Sequence, residues 1–137
     1  MDATEIIARV SDAKTQRDLP ELVKDLENVD LRLLFDTLFP YAVKRQGINN
    51  GLVAFSAYVI HAINPPCPIT PSVALSEMVR HEWDISIEEV PWYLANQFGA
   101  DEVLACVACA LDNQPDDSAR TRLKSVRYWI GLNPKTA

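Results

Sequence analysis

Leu52-Val-Ala-Phe-Ser-Ala-Tyr-Val-Ile-His-Ala-Ile63 carries no Asp, Glu, Lys or Arg and is apolar around nearly the whole circumference of a helix. Such a helix suits a place where neighbours cover it on several sides, so the stretch predicts the central element of a helical fold. The apolar run from Gly51 to Ile63 falls well short of the roughly 20 residues that cross a bilayer, which excludes a membrane span here. The next segment, Asn64-Pro-Pro-Cys-Pro-Ile-Thr-Pro71, cannot be helical until Pro71. That proline suits the first position of a new helix, with Thr70 as its cap. The segment reads as a rigid connector.

Helix punctuation continues in both directions and strand punctuation is absent. Towards the N-terminus, Ala3, Ile6, Ile7 and Val10 keep helical spacing and predict a helix to about Ala13. Asp18-Leu-Pro-Glu21 places a capping acid before Pro and Glu, opening a short helix with Leu22, Val23 and Leu26 on its apolar face. Leu31 to Gln46 is helical in pattern, with a kink or break expected at Pro40 and an end at Gly47. Towards the C-terminus, Ser86-Ile-Glu-Glu89 reads as a capping box, with Ile85 and Val90 as its hydrophobic staple. It opens a helix from Ile87 to Phe98, or, because of Pro91, a separate turn ahead of a helix starting near Pro91. Gly99 stops that helix. Asp101 then opens Val103 to Leu111, again apolar all round and a second candidate for a central helix. Ser118 is expected to cap a last helix carrying Leu123, Val126 and Ile130 on one face. The prediction is an all-α single domain over residues 1–137. It has seven to eight short helices in antiparallel pairs, forming a compact bundle or a short superhelix.

Bulk composition narrows the class. The 137 residues are 48% hydrophobic and 23% charged, which excludes disordered, collagen-like and disulfide-dense chains. No basic stretch precedes an apolar run at the N-terminus, so a cytoplasmic location is expected, and three cysteines are expected to stay reduced. The net charge of −6 is unevenly spread: Glu82 to Asp117 holds nine acids and no Lys or Arg, whereas Ser118 to Ala137 holds five bases and no acid. Several of the acids stand where helices begin and serve as caps in the simplest reading. The acidic balance argues against nucleic acid and favours a basic protein partner.

Motifs for chemistry are sparse. Cys106-Val-Ala-Cys109 has redox spacing, but it sits inside an apolar helix rather than at a helix N-terminus, and buried thiols acting as small hydrophobes are expected. Zinc would need two more ligands, and Cys67, His61 and His81 form no second pair with ligand spacing. His81-Glu82-Trp83-Asp84 reads as a helix end and a turn, and His61 as a hydrogen-bonded core histidine. Phosphate loops, nucleophile elbows and metalloprotease patterns are absent. No cofactor, metal or catalytic residue is therefore expected.

The aromatics say more. On the helix from Ile87, the stripe Ile87, Val90, Pro91, Leu94 and Phe98 marks the core face, and Trp92 lies off it with Glu88, Glu89 and Asn96. Trp92 is either an outward anchor flanked by steering acids or a contact with a neighbouring helix. On the last helix Arg120, Lys124 and Arg127 adjoin the apolar face and Tyr128 points away from it. Internal pairing with the acidic block is expected for these bases.

The Ile87–Phe98 helix, its short glycine turn and the Asp101–Leu111 helix resemble the helix pairs of HEAT-type repeat folds. In size, charge and helix pattern the chain resembles the small helical immunity proteins with which bacteria neutralise toxins. That resemblance implies a non-catalytic protein that binds a basic partner, such as a toxic nuclease, without contacting nucleic acid or membrane. Glu82, Asp84, Glu88, Glu89, Trp92, Asn96, Asp101 and Glu102 would form the contact surface. The alternatives are a metal-binding protein or enzyme using His61, His81 and the cysteines around the proline-rich loop, and a helical adaptor in a larger assembly.

Overall fold

The computed structural model describes residues 1–47 and 50–132. Among these, eight α-helices follow one another: α1 (Ala3–Ser11), α2 (Leu19–Leu26), α3 (Leu31–Ala42), α4 (Asn50–Ile63), α5 (Pro71–Arg80), α6 (Glu89–Phe98), α7 (Ala100–Asp112) and α8 (Asp117–Leu132). A 3-10 turn at Gln16–Asp18 precedes α2, and the described residues contain no strand. The fold is all-α.

The central position expected for Leu52–Ile63 is observed. Helix α4 packs against α1, α2, α3 and α6, and Leu52, Val53, Phe55, Ala57, Val59 and Ile60 are all buried. Helix α7 is different, and the expectation of a second central helix is corrected. It rests on α5, α6 and α8 through Val103, Val107 and Leu111, while Ala105, Ala108 and Cys109 are exposed. Much of its apolar character comes from alanine and cysteine, whose small side chains lose little by facing water.

Local chemistry moves several predicted helix ends. Asp18 does not cap α2: its carboxylate turns back to the start of the 3-10 turn, accepting from the backbone N–H groups of Lys14 at 2.8 Å and Thr15 at 3.0 Å, and these bonds hold its carboxyl below the usual range. Helix α3 runs through Pro40 but stops at Ala42, short of Gln46 and Gly47. A proline only two residues from the end disrupts little that the helix needs. The Ser86 capping box does not form. Asp84 accepts from both the N–H and the hydroxyl of Ser86, Ile85 is left 42% exposed with no staple, and α6 begins at Glu89. Asp116, rather than Ser118, accepts from the Ala119 N–H at the start of α8, at 2.9 Å. Thr70 caps α5 as expected, its hydroxyl accepting from the Val73 N–H at 3.2 Å.

Two connections hold α6 in place. The proline-rich loop is pinned to it: Tyr93 donates its hydroxyl to the Pro65 carbonyl at 2.8 Å, and Gln97 accepts from the Cys67 N–H at 2.9 Å and donates to the Asn64 side chain at 2.8 Å. At the other end the chain turns by 115° into α7 at Gly99. The φ of +88° there suits glycine, although the space around it would admit a Cβ. No single helix among the described residues is long and apolar enough to cross a membrane.

Candidate functional site: an aromatic row on three helices

Helices α4 and α6 run side by side in the same sense, so that His61 meets Trp92 and Asn64 meets Gln97. Helix α8 packs along the other flank of α6. Four rings from these helices form a continuous row. His61 and Trp92 have centroids 5.9 Å apart, Trp92 and Trp129 meet edge to face at 6.4 Å, and Trp129 and Tyr128 do so at 5.2 Å. His61, Trp92 and Trp129 are half-buried, and Tyr128 is 60% exposed.

The two indoles are fixed by backbone hydrogen bonds. Trp92 Nε1 donates to the Trp129 carbonyl at 2.9 Å, and Trp129 Nε1 donates to the Ile85 carbonyl at 2.6 Å. Their one polar group each is thereby used inside the chain, leaving ring area and π-faces for contact. Of the two readings of Trp92, contact with neighbouring helices is the one observed: the side chain leans on α8 and α4 and is only partly accessible. Rings held in this way lose little entropy when something packs against them.

Glu88 and Glu89 stand one turn ahead of Trp92, both half-buried. Burial, with the Glu88 carboxylate beside it, pushes Glu89 up to about 7. Tyr58 on α4 is also raised, by burial first and then by the Glu89 and Glu88 carboxylates. Among the described residues no Lys or Arg forms an ion pair with either glutamate. Two carboxylates this close in a half-buried place are costly to the isolated chain when both are ionised.

This raised value makes a stability prediction. An unfolded glutamate ionises near 4.5, so between about 4.5 and 7 the folded chain holds a proton that the unfolded chain has lost. The stabilising contribution of that proton disappears as pH rises through about 7. Glu89→Gln keeps the neutral shape at every pH. Its melting temperature should match wild type at pH 4 and exceed it at pH 8; a gap that does not change with pH would refute the assignment.

The other predicted contact residues divide between places. Glu82, at φ +58°, is exposed and pairs with Arg45 at 3.6 Å. Asp84 is raised by burial but lowered more by the Ser86 N–H and hydroxyl and by the Gln46 amide, with a net shift below the usual carboxylate range. Asn96 is exposed one turn beyond Trp92. Asp101 and Glu102 lie in the first turn of α7, beyond the far end of α6, whose ten residues span about 15 Å. Only Glu89, Trp92 and Asn96 therefore lie on α6, with Glu88 at its N-cap. The structure adds Tyr58, His61, Tyr128 and Trp129, which the sequence reading did not place in the site.

The bases of α8 do not pair with the acidic block, contrary to expectation. Arg120 donates to the carbonyls of Leu111 at 2.6 Å and Gln114 at 3.1 Å, closing the end of α7, and Arg122 donates to the Trp83 carbonyl at 3.2 Å. Unsatisfied carbonyls at a helix end attract a guanidinium as a carboxylate would. Lys124 and Arg127 make no ion pair among the described residues, and Lys135 lies outside them.

Histidines and thiols do not converge. His61 is half-buried rather than in the core, and His81 caps α5 with its Nε2 2.9 Å from Glu77. Cys109 is exposed and Cys67 and Cys106 are half-buried, so the expected burial of the cysteines is corrected. No three His, Cys, Asp or Glu residues among those described could hold a metal ion together. No family model, curated protein or solved structure matches the chain.

Proposed function

We propose that this chain is a non-catalytic protein-binding module, with the row His61, Trp92, Trp129 and Tyr128 as its contact surface and Glu88 and Glu89 as an acidic rim. One observation carries the reading: two indoles held by backbone hydrogen bonds reach the surface beside a half-buried carboxylate pair, in which burial and mutual repulsion push Glu89 up to about 7. Fixed tryptophan and tyrosine rings are the side chains that most often anchor protein interfaces. A half-buried carboxylate pair favours a basic partner, whose Lys or Arg would relieve the cost of burial. The immunity-protein form of this proposal makes that partner a basic bacterial toxin held inactive by the contact.

The test uses the partner recovered from native extract with the full chain as bait. Glu88→Lys combined with Glu89→Lys should slow association about tenfold at low salt and flatten its salt dependence. An association rate equal to wild type would remove the acidic rim from the interface.

A further inference from the structure

A groove of about 490 Å³ lies between α5 and α7, with Leu123 of α8 among its lining, and it shares no residue with the aromatic row. Cys106 and Cys109 both line it from α7, and Ser72 faces them from α5, with its Oγ 3.6 Å from Cys106 Sγ. The two thiols lie three residues apart on one helix, a spacing that sets their Cβ atoms about 5–6 Å apart. A disulfide needs about 3.5–4.5 Å between Cβ atoms, so oxidation would have to distort the middle of α7.

A metal bridge needs no such distortion. Two metal–thiolate bonds in line, each close to the roughly 2.3 Å of a zinc–thiolate bond, span about twice that length between the sulfurs, a separation that suits Cβ atoms about 5–6 Å apart. The ion is selected by what the groove lacks. Zinc takes four ligands, and no three suitable side chains converge among the described residues. Soft thiolates favour Cu(I), which two of them satisfy.

We propose that Cys106 and Cys109 form a two-coordinate site for a Cu(I) ion at the mouth of the α5–α7 groove. Binding releases both thiol protons to solvent and forms two Cu–S bonds, with no change of oxidation state. The resulting unit carries one negative charge, and Arg80 lines the same groove.

Titration of the full reduced chain with Cu(I) under anaerobic conditions, against a chromophoric Cu(I) chelator, tests the site. Wild type should withdraw one equivalent. Cys106→Ser and Cys109→Ser should each weaken binding at least 100-fold, and Cys67→Ser should leave it unchanged. Helical circular dichroism shows whether each variant is folded. A double variant, Ala108→Cys with Cys109→Ala, keeps the thiol count but turns one thiol by about 100° around the helix, and it should bind no better than the single serine variants. Wild-type affinity in Cys109→Ser or in the shifted variant would overturn the proposal, as would equally tight stoichiometric zinc.

Discussion

Replacing Trp83 with alanine is expected to cost about 3–5 kcal/mol of stability, the range for deleting a large buried ring. Trp83 is fully buried, and it organises a loop as well as filling space. Its N–H donates to the Met78 carbonyl at 2.8 Å, its indole Nε1 to the Ile87 carbonyl at 3.2 Å, and its own carbonyl accepts from Arg122 at 3.2 Å. The backbone N–H thus ties Trp83 to α5, the indole ties it to the segment that leads into α6, and the backbone carbonyl adds α8. Removing it opens a cavity and leaves the Ile87 carbonyl without its partner. With total stability of order 5–15 kcal/mol, a loss of this size brings the chain close to unfolding. At about 3 °C per kcal/mol for a chain of this length, the melting temperature should fall by about 10–15 °C. A loss below 1 kcal/mol in denaturant titration would contradict the packing described.

The largest effect on binding is expected at Trp92. Trp92→Ala removes the ring that joins His61 to Trp129 and frees the Trp129 carbonyl, and it should weaken the partner by at least about 2 kcal/mol, roughly 30-fold. Trp92→Phe keeps much of the ring area but loses the Nε1 hydrogen bond, so it should fall between alanine and wild type. Arg32, which is exposed on α3 and pairs with Asp36 at 3.1 Å, serves as a control remote in sequence and helix, and Arg32→Ala should bind like wild type. Calorimetric titration of the three variants against the same partner reads the order directly. Equal affinity for Trp92→Ala and wild type would remove the row from the interface.

The sequence carried the helices well because their signals are local. The all-round apolar run at 52–63, the proline at the head of α5 and the glycine between α6 and α7 each act within one turn, and the structure retains all three. Caps were less legible, because Asp84 engages the N–H and hydroxyl of Ser86 itself, and Asp116 takes the Ala119 N–H from two residues ahead of Ser118. The choice depends on the entry angle of the chain, which the spacing of residues does not record.

The site was legible only on its own helix. Periodicity placed Glu88, Glu89, Trp92 and Asn96 together on α6 and directed Tyr128 outwards. It gave no reason for His61 and Trp129, 31 residues before and 37 after Trp92, to meet the same ring, since that follows from α4 and α8 flanking α6. One sign was available: Trp129 falls beside, rather than on, the Leu123, Val126 and Ile130 stripe. The charge block misled for a related reason, since net charge over a segment does not reveal that Arg120 and Arg122 are occupied by carbonyls.

Tyr128 offers the most direct test of the claim that this row is a contact surface. It is 60% exposed and touches Trp129 edge to face, so Tyr128→Ala should change stability by no more than about 0.5 kcal/mol. The dissociation constant of the extract-derived partner should nevertheless rise at least tenfold in this variant. A dissociation constant within twofold of wild type, measured on protein with an unchanged melting temperature, would contradict the account.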